Sequence, residues 1–396
     1  MHVLMIPSWY PTRYNPISGK FFLEQAKAIQ STGARVGVIY PDLRGFGSIR
    51  FGKILNNRWN LEFVERASIP HLFWNGWNTP KLHWISGKLW RRKCHRLYDI
   101  YIEKYGRPDI IHAQSVLWAG VAASEISRKY GVPFVVTEHS SAYARGLIKD
   151  WQIPFIKQTF GAVERINCVS AELDRELQSL GCDPARIRII PNSIDTDFWK
   201  KETITDKDEN INIICVALLT RNKGIELLLH AFVVILNDTD NIHLTIIGDG
   251  PEYQHLMQLA ERLDIPMHVS FLGLLQENEI KKNLERADAI VLASYHETFG
   301  VVLIEAMSMG IPVIATACGG PEDFVTPEVG YLVPRNDVPA LRDALKAFIS
   351  ERDAWRRRTK EIREYAVANF SYQTVGTRLL AEYDEVLKET RAEQRK

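Results

Sequence analysis

The chain has 396 residues, of which 46% are hydrophobic and 24% are charged, and its formal net charge at pH 7 is +1. This length predicts two domains of roughly 150 to 200 residues rather than one core, and the composition is typical of a soluble globular protein. A net charge near zero gives no general basis for binding nucleic acid, so we expect no nucleic-acid partner.

Cysteine spacing and apolar run length indicate the compartment. The five cysteines, at positions 94, 168, 182, 215 and 318, form no CxxC pair and lie at no metal-ligand spacing from a histidine, which favours a reducing compartment. Residues 1–11, MHVLMIPSWYP, resemble a first β-strand more than a signal peptide. No apolar run reaches the roughly 18 residues of a membrane-spanning helix. We therefore expect a cytoplasmic protein.

Strand-like and helix-like runs alternate along the first half of the chain. In order, they are HVLMIP (2–7), FFLEQAKAIQSTG (21–33), ARVGVIYP (34–41), DIIHAQ (109–114), AGVAASEISRKYG (119–131) and PFVVTEH (133–139). This alternation predicts a parallel sheet with crossover helices.

The same rhythm restarts after a polar segment at 191–212, which has the composition of a linker and a surface loop. The second series is NINIICVAL (210–218), KGIELLLHAFVVIL (223–236), IHLTIIGDG (242–250), MHVSFLG (267–273), ADAIVLAS (287–294) and IPVIATACGG (311–320). We predict an α/β protein with two doubly wound domains, residues 1–194 and 195–371.

Ligands of open parallel sheets bind beyond the carboxyl ends of the strands. His139 occupies such an end in the first half, and Gly248 and Gly250 occupy one in the second half. Two domains of this kind facing one another would hold a ligand in the cleft between them.

Residues 296–310, HETFGVVLIEAMSMG, read as a turn followed by a helix that ends at Gly310. Thr298 is a candidate N-cap, and the backbone amides of Phe299, Gly300 and Val301 would then be the unpaired donors of the first turn. Such a terminus attracts a phosphate-sized anion. Glu297 would precede that anion site. Glu305 would follow it by about two turns, among apolar neighbours where a carboxylate needs partners such as sugar hydroxyls.

The set of motifs resembles the GT-B fold glycosyltransferases, specifically the large retaining group called family 4 or glycosyl transferases group 1. The elements, in order, are PNSID (191–195), KG (223–224), IIGDGPE (246–252), FLG (271–273), HETFGVVLIEAMSMGIPVIA (296–315) and GGPEDFV (319–325). The two glutamates alone would be a weak signal, but the set in this order and spacing is specific. The resemblance covers essentially the whole chain and implies that the helix within 372–396 packs back on the first domain.

The resemblance also implies roles for individual residues. The carboxylate at Glu297 would contact the transferred sugar, the amides at Phe299 to Val301 would hold the donor diphosphate, and Glu305 would bind ribose hydroxyls. Lys223 would neutralise charge on the leaving diphosphate.

Residues outside the HETFG segment complete the implied site. His139 would lie near the acceptor and the reacting sugar. Gly19 would let the backbone approach the phosphates. Gly248 belongs to the glycine motif after a strand, and residues around Leu272 would influence which nucleotide is bound.

Leu218 departs from the family pattern, which has an arginine on the diphosphate at this position. Arg221, in the same loop, could replace that arginine or could point to solvent. The double glycine near the N-terminus is here Ser18-Gly19, which keeps the second glycine.

The expected reaction uses a nucleotide-diphosphate sugar as co-substrate, with UDP favoured and GDP and ADP still open, and has no cofactor. No pair of carboxylates is placed as a DxD-like metal site, and Lys223 with a helix terminus can stabilise the leaving group, so we predict that no metal is required. The resemblance implies retention of anomeric configuration, with a glycan or lipid-linked acceptor in bacterial surface polysaccharide or glycolipid assembly.

Residues 81–107 hold eight Lys/Arg and two acids, a local net charge of +6, with tryptophans at 74, 77, 84 and 90 nearby. One hypothesis is peripheral contact with an anionic membrane, which flotation with anionic liposomes would test. The alternative is a helix whose tryptophans pack in the core and whose cations face water.

Two other functional classes fit the pattern. One is a nucleotide-sugar epimerase or phosphorylase on a related two-domain fold, the phosphorylase requiring a pyridoxal-bearing lysine. The other is a catalytically silent nucleotide-sugar-binding partner, which Leu218 favours and which the presence of Glu297, Glu305, Lys223 and His139 disfavours.

Overall fold

A computed structural model of the chain describes residues 1–13, 15–45, 59–78, 83–202 and 210–393. It divides into two compact units. The first unit contains the described residues of Met1–Val169, Leu173–Ser193 and Tyr372–Lys396, and the second contains those of Ser170–Glu172 and Ile194–Ser371. The last residues of the predicted C-terminal helix, 394–396, lie outside the described residues, and so do residues 203–209 of the predicted surface loop.

Fourteen strands in the described residues form two sheets. They are β1 (His2–Pro7), β2 (Arg35–Arg44), β3 (Asn60–Arg66), β4 (Ile69–Trp77), β5 (Ile110–Gln114), β6 (Phe134–Glu138), β7 (Arg165–Cys168), β8 (Ile187–Ile189), β9 (Ile211–Val216), β10 (Ile242–Ile247), β11 (Val269–Phe271), β12 (Ala289–Leu292), β13 (Val313–Ala317) and β14 (Gly330–Pro334). The first unit has the order β3-β4-β2-β1-β5-β6-β7-β8, and the second has β11-β10-β9-β12-β13-β14.

Thirteen α-helices connect the described strands or follow them. They are α1 (Lys20–Ser31), α2 (His83–Tyr105), α3 (Val121–Tyr130), α4 (Ile153–Ala162), α5 (Ala171–Ser179), α6 (Ile225–Ile235), α7 (Tyr253–Arg262), α8 (Glu277–Arg286), α9 (Val301–Ser308), α10 (Val338–Ser350), α11 (Arg352–Arg357), α12 (Thr359–Phe370) and α13 (Tyr372–Glu393).

The predicted fold class is confirmed for each unit, because both are Rossmann-like α/β domains whose strands pair in parallel, apart from β3 at one edge of the first sheet. Val3 pairs with Val36 of β2 on one side and with Ile110 of β5 on the other, both in parallel. Residues 3–6 are all at most 1% exposed. A strand covered by helices on both faces is apolar at every position, and this explains why HVLMIP shows no alternation.

The hairpin of β3 and β4 was not predicted. These strands pair in antiparallel fashion, whereas β4 pairs with β2 in parallel. β3 is an edge strand with the sequence NLEFVER, whose charged residues suit an edge exposed to water. Because its sequence is polar, β3 lacks the continuous apolar run by which a buried parallel strand is recognised.

Helix α13 completes the core of the first unit by packing on α1. Val375, Leu379, Tyr383 and Val386 on α13 are fully buried. A Cβ atom at Gly376 would lie 2.1 Å from the carbonyl oxygen of Ala28. The two helix backbones therefore approach as closely as a glycine permits.

Several cations of helix α2 contact acidic or aromatic side chains of the protein. Arg91 pairs with Glu125, the Lys93 Nζ lies 4.0 Å from the ring centroid of Trp74, and Lys104 Nζ lies 4.0 Å from that of Phe63. Trp90 is 8% exposed. These contacts agree with the packing interpretation of this helix.

Three other cations of α2, Lys88, Arg92 and Arg96, are exposed and recur every four residues, which places them on one face. Residues 81 and 82 and the side chain of Trp84 lie outside the described part of the structure, and membrane contact stays a prediction. No helix among the described residues is both long enough and apolar enough to span a bilayer.

Replacing Gly376 with alanine should separate α13 from α1. The added methyl group would overlap the Ala28 carbonyl, and overpacking of this kind costs about 1 to 3 kcal/mol. We expect the Tm of the full chain to fall by several degrees in a thermal melt.

The matched control is Gly161→Ala in α4, where an added Cβ would meet nothing within 4 Å. Alanine is the better helix former, so this control should melt at or slightly above the wild-type Tm. Equal melting of Gly376→Ala and Gly161→Ala would contradict the close packing of α13.

Candidate functional site

The loop from Ala293 to Gly300 follows β12 and lies between two other loops of the second unit. On one side, a Cβ at Gly224 would lie 2.0 Å from the Ala293 carbonyl oxygen. On the other side, a Cβ at Gly320 would lie 2.2 Å from the Cα of Phe299. Only glycine allows backbones to approach this closely. The loop that carries Glu297 is thus held by contacts on both sides.

Hydrogen bonds fix the backbone of Glu297. Its N–H donates to the Cys318 carbonyl at 2.9 Å, and its carbonyl accepts from the Gly320 N–H at 2.7 Å. On the opposite side, the Asn222 side-chain amide donates to the His296 carbonyl at 2.8 Å. These bonds join the loops that follow β9, β12 and β13 at the carboxyl edge of the sheet.

Lys223 and Glu297 form an ion pair between Nζ and a carboxylate oxygen. The side chains are 21% and 18% exposed, respectively. The structure thus brings together two residues that lie 74 positions apart and that were predicted for the same site. The pair places a cation and an anion together at the carboxyl edge of the sheet.

The predicted N-cap at Thr298 is wrong. Helix α9 begins at Val301, and its N-cap is Gly300, which adopts a left-handed conformation with φ 96° and ψ 54°. Glycine adopts this conformation without the cost that a Cβ brings, so the chain turns into the helix two residues later than predicted. Of the three predicted amide donors, only Val301 is therefore in the first turn.

The amides of Phe299, Gly300 and Val301 are nevertheless unpaired within the described chain, since none of them donates a hydrogen bond to a described residue. The Phe299 ring is buried against the rings of Phe324 and Phe370, at centroid distances of 5.0 and 5.9 Å. Burial of this ring anchors the backbone that presents the amides. Glu305 is half-buried on α9.

Gly248 and Leu272 lie at the ends of adjacent strands, β10 and β11. The Gly248 N–H donates to the carbonyl of Gly273 at 2.8 Å, and a Cβ on Gly248 would lie 1.8 Å from the Ala217 carbonyl oxygen. Leu272 is exposed, and so is Leu218, which follows β9. The edge of the sheet near β9 and β11 therefore carries exposed apolar side chains.

Arg221 is on the same short turn as Lys223 but contacts a different carboxylate. The Arg221 Nε lies 3.5 Å from Oε1 of Glu252, and the arginine side chain is 90% exposed. With Glu252 and His255 it helps to line a pocket of about 410 Å³. The structure does not bring Arg221 into the pair formed by Lys223 and Glu297.

His139 and Gly19 belong to the first unit. Gly19 has φ 70° and is the N-cap of α1. Two residues from the start of that helix, Phe21 and Phe22, pack their rings against the His139 imidazole at centroid distances of 4.8 and 5.0 Å. The glycine loop and the histidine are therefore neighbours at the edge of this sheet.

Glu138 is a site residue that the sequence prediction missed. Its fully buried carboxylate accepts hydrogen bonds from the backbone N–H groups of Val116, His139 and Ser140 and from the hydroxyls of Ser115 and Tyr143. Burial raises the pKa of Glu138, and the donors that bind it lower that pKa. The carboxylate ties the loop after β5 to the loop after β6. A glutamate beside the predicted histidine was the available signal.

Asn222 and the Gly319-Gly320 pair were also missed as site residues. Asn222 lies between two predicted cations, and the double glycine opens the GGPEDFV motif, so both stood next to recognised features. Within the described ranges, no group of three His, Cys, Asp or Glu side chains is arranged to hold a metal ion.

Two family profiles match the chain. The profile described as Glycosyltransferase Family 4 matches residues 18–198, and the profile described as Glycosyl transferases group 1 matches residues 195–366. The chain belongs to the group 1, family 4 glycosyltransferases. The resemblance found in the sequence is thereby confirmed.

Relatives of this glycosyltransferase include glycogen synthase of Mycobacterium tuberculosis, which is 27% identical over 79% of this chain and 78% of that protein. Another relative, TuaC of Bacillus subtilis, carries the name of a teichuronic acid biosynthesis glycosyltransferase and is 25% identical over 95% of this chain and 94% of its own.

Solved structures show the fold. Sucrose-phosphate synthase from Thermosynechococcus elongatus matches with a TM-score of 0.78 and 19% identity, covering 98% of this chain and 100% of that chain. Anabaena HepE in complex with UDP matches with a TM-score of 0.73 and 18% identity, covering 97% and 100%. The glycosyltransferase has the GT-B fold.

The ion pair of Lys223 and Glu297 should be detectable in a double-mutant cycle. Lys223→Met or Glu297→Gln alone leaves a partly buried charge without its partner, whereas the double variant leaves none. We expect the summed losses of the single variants to exceed that of the double variant by about 1 to 2 kcal/mol, measured by denaturation of the ligand-free enzyme.

The parallel cycle of Arg221→Gln and Glu252→Gln is the control, because that pair is longer and Arg221 is exposed. Its coupling should be below about 0.5 kcal/mol. Equal coupling in the two cycles would show that Lys223 and Glu297 interact no more strongly than a surface pair.

Proposed function

We propose that this protein is a retaining glycosyltransferase that moves a sugar from a nucleotide-diphosphate sugar to an acceptor hydroxyl. One observation carries the proposal: Glu297, which pairs with Lys223, lies on the loop that leads directly to three amides without partners in the described chain, at Phe299, Gly300 and Val301. A cation and amides suit a diphosphate, and a carboxylate before them suits sugar hydroxyls.

In the proposed reaction, the acceptor oxygen forms a bond to the anomeric carbon as the bond from that carbon to the diphosphate oxygen breaks. Attack from the face that the diphosphate leaves retains the configuration. The hydroxyl proton passes to a leaving phosphate oxygen, so the products are a glycoside and a nucleoside diphosphate.

The chain's own groups act mainly through charge and position. Lys223 and the three amides stabilise the negative charge that grows on the diphosphate. Glu297 orients the transferred sugar, and His139 orients the reacting hydroxyls. Because the cation and amides take over charge stabilisation, we propose that turnover requires no metal ion.

We propose UDP as the nucleotide. The exposed Leu272 edge and Glu305 would meet the base and the ribose hydroxyls, respectively, and HepE, which has the same fold, has been crystallised with UDP and with UDP-glucose. For the acceptor, we propose a glycan or lipid-linked glycan of a bacterial surface polysaccharide. The match to TuaC over nearly the full length of both chains supports this class.

A second candidate is a catalytically silent nucleotide-sugar-binding partner. The observation that favours it is Leu218, an exposed leucine where the family has an arginine. Arg221, on the same turn as Lys223, lies against Glu252 and not beside that lysine.

Nucleotide binding gives the first test of the proposed function. We expect UDP, and not GDP, ADP or CMP, to raise the Tm of the full chain in the presence of EDTA, because the phosphate site is built from Lys223 and backbone amides. A free UDP concentration of 100 times Kd would raise the free energy of unfolding by about 2.7 kcal/mol. The absence of a shift with every nucleotide would rule out the proposed donor site.

Glu297→Ala separates catalysis from binding. The variant should lose UDP-sugar turnover by at least about 100-fold while UDP still raises its Tm, since the phosphate contacts remain. Turnover is measured as the release of UDP. The control variant is Glu252→Ala, which removes the partner of Arg221 in the neighbouring ion pair. Wild-type turnover by Glu297→Ala would remove Glu297 from the mechanism.

A further inference from the structure

The short turn Arg221–Lys223 directs consecutive side chains to different partners. Arg221 lies against a glutamate of the neighbouring pocket, and Lys223 pairs with Glu297. Asn222, between the two cations, is half-buried and contacts the backbone of the loop that carries Glu297. Because an amide carries no charge, Asn222 acts on that loop through hydrogen bonds.

Asn222 makes two hydrogen bonds to consecutive residues of the loop. Its backbone carbonyl accepts from the Tyr295 N–H at 2.8 Å. Its side-chain Nδ2 donates to the His296 carbonyl oxygen, also at 2.8 Å. A carbonyl oxygen only accepts hydrogen bonds, so the NH₂ end of the Asn222 amide must face it. The orientation of this side chain is therefore determined by its partner.

The side-chain bond holds one particular peptide group, the one between His296 and Glu297. The carbonyl of this peptide accepts from Asn222, and its N–H donates to the Cys318 carbonyl at 2.9 Å. A peptide group is planar, so hydrogen bonds at both ends fix its plane. The Cα atom of Glu297 belongs to that plane, and this constrains the direction in which the Glu297 side chain leaves the backbone.

The bond from Asn222 depends on the identity of a side chain. The bonds that the Glu297 N–H and carbonyl make run between main-chain atoms, so side-chain substitutions leave their donors and acceptors in place. Asn222 also directly precedes Lys223, as His296 directly precedes Glu297. One amide therefore joins the two backbone positions next to the partners of the ion pair.

The ion pair is sensitive to backbone position because both of its side chains are partly buried. The Lys223 and Glu297 side chains are 21% and 18% exposed. Water has limited access to such groups, and a charge left partly buried without its partner is costly. The strength of the interaction therefore depends on how the two backbones hold these side chains.

We propose that Asn222 is a positioning residue for the site of the second unit. Its side-chain amide fixes the peptide before Glu297, which places the carboxylate against Lys223 and sets the path of the loop toward the amides of Phe299 to Val301. The effect on the ion pair is a property of the protein alone. The effect on turnover rests on the proposed function, in which Glu297 orients the transferred sugar.

A double-mutant cycle repeated in a second background tests the effect on the ion pair without any ligand. Lys223→Met, Glu297→Gln and the double variant are compared by denaturation, first with Asn222 and then with Asn222→Leu, which has a similar shape and no donor. The coupling of the pair is expressed as a ratio of equilibrium constants for unfolding. We expect this ratio to fall at least about threefold in the Asn222→Leu background.

The matched control is the same cycle in an Asn283→Leu background. Asn283 lies on α8 of the same unit, and its Nδ2 also donates to a backbone carbonyl, that of Glu279, at 2.8 Å. Whatever this substitution does to stability, it should leave the coupling of the ion pair at its wild-type value.

Three results of these cycles would overturn the proposal. They are unchanged coupling in the Asn222→Leu background, an equal loss of coupling in the Asn283→Leu background, and no coupling in the wild type. Asn222→Ala is the second variant, since it also removes the amide and leaves a smaller side chain. It should change the coupling in the same direction as Asn222→Leu, and it decides the outcome if Asn222→Leu does not unfold cooperatively.

Hydrolysis of UDP-glucose, in which water takes the place of the acceptor, tests the effect on the reaction. We expect Asn222→Leu to lower kcat at least about 10-fold, because a small displacement of a group that orients the substrate slows the reaction strongly. UDP should still raise the Tm of the variant, since Lys223 and the backbone amides remain. The rate is measured as the release of UDP, and Asn283→Leu should keep the wild-type kcat.

The binding and rate measurements separate this proposal from the proposed function. A wild-type kcat in Asn222→Leu, or the loss of its Tm shift with UDP, would refute the positioning of Glu297 as the cause. If UDP does not raise the Tm of the wild type and UDP-glucose is not hydrolysed, the proposed donor is wrong. The ligand-free cycles then still decide whether Asn222 positions the ion pair.

Discussion

The close approach of backbones at glycine is the constraint on which the second unit's site depends. Gly224 and Gly320 lie on either side of the loop that carries Glu297, and a side chain at either position would overlap a main-chain atom of that loop. Because the loop cannot move outward on either side, the Glu297 carboxylate meets Lys223, and the amides after it keep their direction. The electrostatics of the site are therefore a consequence of backbone packing.

The ion pair has a second consequence under the proposed function. Lys223 already has an anionic partner in Glu297, so a diphosphate that used this lysine would compete with the Glu297 carboxylate for it. The partly buried carboxylate would then need other hydrogen-bond donors, and sugar hydroxyls would supply them.

Much of the fold follows from the sequence, because strands covered on both faces are continuous apolar runs and the intervening helices are amphipathic. The β3–β4 hairpin does not follow, since an edge strand has no such run. Position in the HETFG motif predicted Glu297, but the start of α9 depended on one left-handed glycine that pattern alone did not identify. The contact of Gln114 with His139 depends on the parallel pairing of β5 with β6, which joins residues 25 positions apart. Periodicity carries no information on such a pairing.

The path of the chain also sets an order of assembly. The second unit is inserted between Ser193 and Tyr372 of the first, and Ile194 pairs with Ser371 where the chain leaves and returns. Tyr383, whose hydroxyl contacts the His112 ring, is synthesised 271 residues after its partner. During translation, the second unit therefore has its whole sequence before the first unit does. The core of the first unit therefore stays incomplete until α13 has been synthesised, because the buried face of that helix, from Val375 to Val386, covers part of it.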